Sequence, residues 1–264
     1  MDLHGASVVV TGGGSGIGEA LAAGAVARGA RAVVVADVDA EAAERVAEGL
    51  GPVARQRRCD VSDADSVRTL VEEAEAEHGG LDLVCSNAGI ASGAGIDAAP
   101  ETWDRLWAVN VMGSVNIANV YLEVVRRQGS GHLMITASAA GLLTNLGDAP
   151  CTATKHAAVG LAEWLSITHG EEGLAVSCLC PQGVRTPMVT GGLDAEEMAA
   201  EVVEMLGLIA PEECATAALD GIEADDFLIL PHPEVARFQR AKADDLDRWL
   251  GGMRRLQSRL RPGD

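Results

Sequence analysis

Short apolar runs alternate with stretches of helical periodicity along most of the chain. Seven runs, most of them rich in Val, Leu, Ile and Ala, predict β-strands at about residues 6–11, 31–37, 53–58, 81–86, 131–137, 174–180 and 226–231. Between them, apolar residues recur three and four positions apart, which predicts amphipathic helices. This alternation is typical of an α/β fold with a doubly wound, seven-stranded parallel sheet and helices on both faces. Ligands then bind at the carboxyl ends of the strands.

The first strand runs directly into a glycine-rich turn and an Ala-rich helix. Gly12, Gly16 and Gly18 follow the spacing TGxxxGxG, and residues without a Cβ allow the backbone to turn tightly against a pyrophosphate. A tight turn without a ligand would leave the same pattern. The second strand, however, ends in Asp37, where a carboxylate can bind an adenosine ribose and repel a 2′-phosphate. The sequence therefore predicts NAD rather than NADP.

Composition narrows the class of protein. A chain of 264 residues with 48% hydrophobic content can bury one large core. Its 20 basic and 39 acidic residues give a net charge of −19, which disfavours nucleic acid and anionic membranes as partners. No apolar stretch approaches the roughly 20 residues of a membrane span, and the first residues do not resemble a signal peptide. We expect a cytoplasmic protein with a small-molecule substrate.

Small and polar residues follow the third and fourth predicted strands. Asp60 and Val61 come after the third strand, where the aspartate could contact an adenine amino group or cap the next helix. Asn87, Ala88 and Gly89 follow the fourth strand and would let the backbone lie against a cofactor, although the same three residues can form a simple turn.

Candidate chemistry is concentrated in the second half of the pattern. A long helix predicted over 100–127 carries Asn110 in its interior, where an amide that competes for backbone hydrogen bonds needs a reason. The fifth strand ends at Ser138. Cys151 and Lys155 follow one helical turn apart, on the same face of the next predicted helix. The six cysteines show no CxxC pair and no neighbouring His cluster, so we expect neither disulfides nor a metal site.

In this order, the motifs resemble the NAD-preferring group of the short-chain dehydrogenase/reductase family, over residues 4–190 and more loosely to 231. The resemblance implies a single-domain Rossmann fold that binds a nicotinamide cofactor and assembles as a homodimer or homotetramer, which we expect through the helices at 100–127 and 150–170. The cofactor site that it implies comprises Gly12, Ser15, Gly16, Ile17, Gly18, Asp37, Asp60, Val61, Asn87, Ala88, Gly89, Lys155, Pro181, Val184 and Thr186.

The resemblance also assigns catalytic roles. Asn110 matches the residue that fixes a proton-relay water, Ser138 the residue that binds the substrate oxygen, and Lys155 the residue that holds the nicotinamide ribose and lowers its neighbour's pKa. Cys151 stands where the family has the acid/base tyrosine of YxxxK. A thiol of ordinary pKa about 8.5 beside an ammonium can transfer a proton, but it is shorter than a phenol. Tyr121, inside the long helix, is not expected to replace the missing phenol.

Three functions remain open at this stage. The first is an NAD-dependent oxidoreductase that interconverts a secondary alcohol and a ketone at a rearranged site. The second is an enzyme of the same fold that performs thiolate or non-redox chemistry, and the third is a non-catalytic NAD-binding or regulatory protein. Segments 90–98, 139–150 and 185–206 are mostly small and apolar, which indicates a hydrophobic or cyclic substrate.

The last third of the chain is more variable in pattern. Residues 189–210 predict a glycine hinge and an apolar helix, which either covers the substrate, as the resemblance implies, or packs as an ordinary helix. We divide the chain into a domain at 1–232 and an amphipathic helical extension at 233–264. This extension is expected to pack on its own subunit or on a neighbouring one.

Overall fold

The chain folds around a seven-stranded parallel sheet, seen in a computed structural model that describes residues 1–190 and 207–260. The strands are β1 Ser7–Thr11, β2 Ala32–Asp37, β3 Ala54–Arg58, β4 Leu83–Ser86, β5 Gly131–Thr136, β6 Leu174–Leu179 and β7 Leu228–Ile229. Their spatial order is β3-β2-β1-β4-β5-β6-β7. The order reverses between β1 and β4, and ligands bind at such a switch point in open α/β sheets. The predicted fold is confirmed.

Helices cover both faces of this sheet. They are α1 Gly16–Ala27, α2 Ala40–Leu50, α3 Ala64–His78, α4 Pro100–Trp107, α5 Gly113–Gln128, α6 Ala149–His169, α7 Pro187–Thr190, α8 Pro211–Ala224, α9 Glu234–Asp244 and α10 Leu246–Leu260. One core cluster joins the sheet to α3, α5 and α6, and the other joins it to α1, α2 and α8. Because alternate residues of a strand face opposite sides, β1 and β2 must be apolar at nearly every position.

A single long helical segment, Pro100–Gln128, runs through α4, a π-helical turn at Ala108–Met112 and α5. It is long and apolar enough to cross a membrane by length and composition, so the expectation that no stretch reaches this limit is wrong. Its most apolar 18-residue window is 61% buried inside the protein.

Tyr121 on this segment is fully buried, and its hydroxyl donates to the Asp82 carbonyl at 2.9 Å. The tyrosine therefore fixes the core.

The C-terminal residues form two helices where the sequence pattern indicated one periodic stretch. Asp245 is extended, with φ −154°, and separates α9 from α10. The division of the chain at residue 232 remains a prediction. Most of the predicted substrate-covering stretch lies outside the described residues, because the description stops at 190 and resumes at 207.

Candidate active site

A cavity of about 920 Å³ runs along the carboxyl edge of the sheet. It is lined by every predicted site residue except Gly18 and Asn110: Gly12, Ser15, Gly16, Ile17, Asp37, Asp60, Val61, Asn87, Ala88, Gly89, Ser138, Cys151, Lys155, Pro181, Val184 and Thr186. Gly18 and Asn110 contact lining residues, Gly12 and Ile90 respectively, without lining the cavity themselves. The sequence therefore located one continuous groove.

The glycine turn brings three loops of backbone together. A Cβ at Gly12 would lie 2.8 Å from the Ala88 Cα, and a Cβ at Gly16 would lie 2.9 Å from the Thr186 side chain. Both glycines have positive φ, at 64° and 56°, which only glycine adopts freely. A Cβ at Gly18 would collide with the Gly12 carbonyl. Gly18 thus closes the turn from behind and does not line the cavity.

The start of α1 is open to an anion. Ser15 precedes the helix, and its side chain makes no capping hydrogen bond. The first N–H groups of a helix have no intrahelical acceptor, so those of Ile17 and Gly18 point out of the helix with the positive end of its dipole. A pyrophosphate fits this arrangement, since helix N-termini bind phosphate through such amides.

Two carboxylates lie at the far end of the same groove. Asp37 accepts hydrogen bonds from the backbone N–H of Gly14 at 2.9 Å and of Asp39 at 3.0 Å. Each oxygen keeps a lone pair for a further donor, such as a ribose hydroxyl. Asp60 accepts from the Ser62 hydroxyl at 2.6 Å, and this bond lowers the pKa of Asp60.

The structure separates the two interpretations of the aspartate cluster after β3. Asp63 caps α3, where its side chain accepts the Asp65 N–H at 3.0 Å. Asp60 is not the cap, and it lines the cavity. Gly113 on α5 packs directly on the neighbouring Val61, because a Cβ at Gly113 would lie 2.8 Å from the valine side chain.

Asn87 joins three strands at the centre of the edge. Its amide nitrogen donates to the Thr11 carbonyl at 3.1 Å, and its amide oxygen accepts the Thr136 hydroxyl at 3.1 Å. The side chain is therefore a fixed bridge between the ends of β1, β4 and β5. Thr11 is the first residue of the TGxxxGxG spacing, whereas Thr136 had no signal beyond its place at the end of a strand.

Asn110 lies in the π-helical turn and is buried. Its amide oxygen accepts the Ile90 N–H at 2.8 Å, and its amide nitrogen donates to the Ile90 carbonyl at 2.9 Å and to the Thr154 hydroxyl at 3.2 Å. The side chain thereby ties the loop after β4 to α6. Single π-helical turns are frequent at functional sites.

Lys155 and Ser138 both line the cavity. The Lys155 ammonium donates to the Thr136 carbonyl at 3.0 Å, and burial lowers the pKa of this lysine. The Ser138 hydroxyl donates to the Pro181 carbonyl at 3.3 Å and accepts the Ala140 N–H at 3.1 Å. Both groups are within the lining, so a substrate there would meet a hydroxyl and an ammonium.

Cys151 also lines this end but is only 7% exposed. Burial raises the pKa of its thiol, and this effect outweighs the opposing attraction of Lys155. The neighbouring ammonium lowers the pKa of Cys151 as expected, but burial raises it by more, so the net shift is upward. Desolvation disfavours the thiolate more than the lysine stabilises it, so the thiol is protonated at neutral pH.

Asp148 is a buried lining residue that the sequence interpretation missed. It accepts the Cys151 N–H at 2.8 Å as the N-cap of α6. It also accepts the N–H groups of Ser92 at 2.6 Å and Gly93 at 2.7 Å, and the Ser92 hydroxyl at 2.9 Å. Burial acts to raise the pKa of Asp148, but these hydrogen bonds hold it below the ordinary value. An Asp just before Ala149-Pro150 signals a cap, whereas the bonds to the distant loop have no sequence signal.

The histidines lie outside this groove. His132 is buried, with Nε2 at 2.8 Å from the Ser177 hydroxyl, and His169 pairs with Glu172. Within residues 1–190 and 207–260, no group of three or more His, Cys, Asp or Glu side chains could hold a metal ion.

Known proteins are similar to this chain in sequence and in fold. The family model for short chain dehydrogenases matches residues 6–197. Sex determination protein tasselseed-2 of Zea mays is 39% identical over 71% of this chain, although the match spans only 57% of that protein. The 2,5-dichloro-2,5-cyclohexadiene-1,4-diol dehydrogenase of Sphingobium indicum is 38% identical over 73% of this chain and 78% of its own length.

Two further comparisons extend over more of the chain. The (+)-borneol dehydrogenase 1 of Salvia officinalis is 32% identical over 82% of this chain and 86% of that protein. A crystal structure of a short chain dehydrogenase/reductase from Burkholderia phymatum in complex with NAD has a TM-score of 0.84 and 28% identity, covering 94% of this chain and 96% of that one. A family match over most of the sequence, together with this fold and groove, establishes that the chain belongs to the short chain dehydrogenase/reductase family.

Proposed function

We propose that the protein is an NAD-dependent oxidoreductase that interconverts a secondary alcohol and a ketone. The observation that carries the proposal is the single groove that joins the open N-terminus of α1 and Asp37 to Ser138, Cys151 and Lys155. The family binds nicotinamide cofactors, and the solved relative with this fold was crystallised with NAD. When bound, the nicotinamide supplies the acceptor or donor of the hydride.

The chain's own residues bind and orient the reactants. The amides at the start of α1 hold the pyrophosphate, and Asp37 accepts hydrogen bonds from the adenosine ribose while repelling a 2′-phosphate. Lys155, held by the Thr136 carbonyl, donates to the nicotinamide ribose. Ser138 donates to the oxygen of the substrate. Cys151 occupies the position of the family's tyrosine. Its protonated thiol can donate a proton directly or through a water molecule.

The substrate that we propose is small, uncharged and hydrophobic or cyclic. The lining beyond Ser138 includes Ile90, Ala91, Ala140, Leu143 and Met188, and an apolar pocket with few polar groups favours such ligands. Two relatives are named for the dehydrogenation of cyclic alcohols. Asp148 in this wall is saturated with backbone and hydroxyl donors, so it is not free to bind a cationic substrate.

We also propose a homo-oligomer formed through α4, α5 and α6. Large apolar side chains on these helices are exposed in the single chain, among them Trp107 at 45%, Trp164 at 55% and Ile167 at 85%. Exposed apolar residues of this size are typical of surfaces that pack against another protein.

A second candidate function is non-redox chemistry at Cys151, which stands in place of the phenol. Nucleophilic attack would require its thiolate, and burial raises the pKa of this thiol, so the geometry supports the oxidoreductase better. Turnover that survives Cys151→Ser but is lost in Lys155→Met would exclude thiolate nucleophilicity. A protein that binds NADH but turns over no alcohol or ketone would favour a binding or regulatory role.

Fluorescence titration with NADH and NADPH tests the proposal. The wild-type protein should bind NADH more tightly than NADPH. Asp37→Ala should weaken NADH binding about 10- to 100-fold, because the ribose loses hydrogen bonds to a charged acceptor, and should reduce the discrimination against NADPH. Glu41→Ala removes the same charge from the exposed surface of α2 and serves as the matched control.

Two outcomes would contradict the proposal at different levels. If the wild-type protein binds neither dinucleotide, the oxidoreductase function is wrong. If it binds NADPH as tightly as NADH and Asp37→Ala behaves like Glu41→Ala, only the preference for NAD is wrong.

A further inference from the structure

The C-terminal helices contact the wall of the groove through a lysine. The Lys242 ammonium on α9 donates to the carbonyl of Leu142 at 2.7 Å and to that of Leu143 at 3.0 Å. These carbonyls follow the 3₁₀ turn Ala139–Gly141, which itself follows Ser138. The last carbonyls of a helical turn accept no hydrogen bond from an N–H of that turn. A cation that binds two of them therefore fixes the end of the turn.

Apolar contacts surround this lysine. Val235 is fully buried against Ala139 and Leu143, and the rings of Phe238 and Trp249 pack on the same cluster. The two rings lie 6.2 Å apart, so α9 and α10 meet the wall as a unit. Lys242 is half-buried beside this cluster, and a charge-assisted hydrogen bond is stronger there than at a fully exposed surface.

The clamped segment leads directly to the candidate catalytic groups. Gly141 lies so close to the backbone of α6 that a Cβ there would collide with the Lys155 carbonyl. Leu143, whose carbonyl binds Lys242, lines the cavity. A displacement of Leu142 and Leu143 would therefore change the distance between Ser138 and Lys155.

His232, in the same part of the chain, binds a second segment of the cavity wall. His232 is buried just before α9, and its Nδ1 accepts the backbone N–H of Gln182 at 3.1 Å. Gln182 lines the cavity beside Pro181, whose carbonyl binds Ser138. Residues 232–249 thus hold both segments between which Ser138 lies.

We propose that Lys242 is a positioning residue of the active site, which fixes Ser138 and Leu143 against α6 by clamping the carbonyls of Leu142 and Leu143. The inference rests on the proposed function for its kinetic consequences. It concerns residues beyond the family match, which ends at 197. On this proposal the C-terminal helix pair supports the wall of the substrate site from outside the cavity.

Three variants test the clamp. Lys242→Met keeps the aliphatic stem and removes the ammonium, and Lys242→Arg restores a cation with several donors. Arg240→Met removes an exposed cation from the same helix and is the matched control. Hydrogen exchange of the amides in 138–148 should be about tenfold faster in Lys242→Met, because a clamped turn opens less often. It should be unchanged in Arg240→Met.

Kinetics supply the functional readout. With a cyclic secondary alcohol that the wild-type enzyme oxidises, Lys242→Met should raise KM or lower kcat about tenfold, whereas the Kd for NADH, measured by fluorescence, stays within about twofold. Lys242→Arg should recover most of the loss. A purely structural role would instead change NADH binding and substrate kinetics together.

The outcomes separate this inference from the proposed function. Unchanged exchange at 138–148 in Lys242→Met would overturn the clamp, whether or not any substrate is known. Faster exchange without a change in KM or kcat would overturn its role in positioning. If Lys242→Met fails to fold, Lys242→Gln is measured in the same way. If the wild-type protein binds no NADH, the proposed function fails, while the exchange experiment still decides the clamp.

Discussion

Cys151 is the side chain on which the proposed chemistry depends most. Burial raises the pKa of its thiol, and burial lowers the pKa of Lys155 one turn away. Both shifts favour the neutral forms of the two side chains, so burial works against a thiolate–ammonium pair. A protonated thiol can donate a proton, but its side chain is shorter than that of a tyrosine.

Cys151→Tyr tests whether the missing phenol limits turnover. If the protein is a dehydrogenase, the substitution should raise kcat/KM on a cyclic secondary alcohol by about 10²- to 10⁴-fold, the usual contribution of a positioned acid/base. Cys151→Ser is the control, because it changes the side chain without supplying a phenol. The measurement is NADH formation at pH 7 to 9.

Equal activity of the Tyr and Ser variants would mean that the group at 151 takes no part in proton transfer. Lower activity of the Tyr variant, with NADH binding unchanged, would mean that the pocket is shaped around the thiol. Either result would contradict the idea that the missing phenol limits turnover.

His132 should make the protein sensitive to acid. Burial lowers its pKa from 6.5 to about 4, so the unfolded chain takes up a proton on this residue at a higher pH than the folded protein does. The contribution of neutral His132 to the free energy of unfolding is therefore complete above pH 6.5. It is lost as the pH falls to 4, and the total loss is on the order of 3 kcal/mol.

Urea unfolding at pH 7, 5.5 and 4 measures this loss. His132→Leu should show a shallower fall in the free energy of unfolding, and Ser177 keeps a partner because its hydroxyl also donates to the Asp226 carbonyl at 2.7 Å. Replacement of the exposed His156 by Leu should leave the fall unchanged. The same pH dependence in all three proteins would show that other groups cause it.

The strands were predictable because their physical requirement is simple. A strand buried on both faces needs an uninterrupted apolar run, and β1, β2 and β6 coincide with such runs to within one residue at most ends. The last strand is only Leu228–Ile229, since its pairing with β6 ends where the chain turns towards α9. The break at Asp245 could not be predicted, because periodicity continues across it.

Local departures from helical geometry were not predictable either. Asn110 was noticed as an unsuitable residue for a helix interior, and the structure supplies the reason: the π-helical turn turns its amide towards Ile90. The sequence indicates that such a residue needs a partner. It does not indicate that the partner is a backbone 20 residues away.

Asp148 should stabilise the start of α6 more than an ordinary cap does. Its carboxylate holds four donors, three of them from the helix start and the Ser92–Gly93 backbone and one from the Ser92 hydroxyl. Asp148→Ala should reduce the free energy of unfolding by about 3 kcal/mol, because buried N–H groups lose a charged acceptor. Asp63→Ala, which removes the simpler cap of α3, should cost about 1 kcal/mol.

The sign of the pH effect follows from the lowered pKa of Asp148. Its contribution is present above the ordinary pKa of 3.8 and is lost as the pH falls through the lower pKa of the folded protein. The difference between the two variants, measured by urea unfolding, should therefore shrink between pH 7 and pH 2. Equal losses at pH 7 would show that the bonds to Ser92 and Gly93 contribute nothing beyond a cap.

Across the whole molecule, the sheet topology brings motifs that are distant in the sequence to one edge of the sheet. Motifs that are up to 174 positions apart, from Gly12 to Thr186, line one groove because parallel strands end at the same edge. The contacts between loops, such as Gly141 on Lys155, depend on side-chain packing that no local pattern records. The segments predicted for the substrate wall do supply lining residues, among them Ile90, Leu143 and Met188, whereas the contacts that hold this wall together could not be predicted.

The exposed apolar residues of α6 should be an interface between copies of this chain. Ile167 and Trp164 lie on one helix with large exposed fractions, and burial of such a patch removes apolar surface from water at about 25 cal/mol per Å². Light scattering after gel filtration should give a dimer or tetramer for the wild-type protein, and Ile167→Glu should shift it to a smaller species because a carboxylate would be buried without a partner. Thr168→Glu, at the exposed neighbouring position, should leave the mass unchanged. If the wild-type protein is a monomer at micromolar concentration, or if both variants dissociate equally, α6 is not the interface.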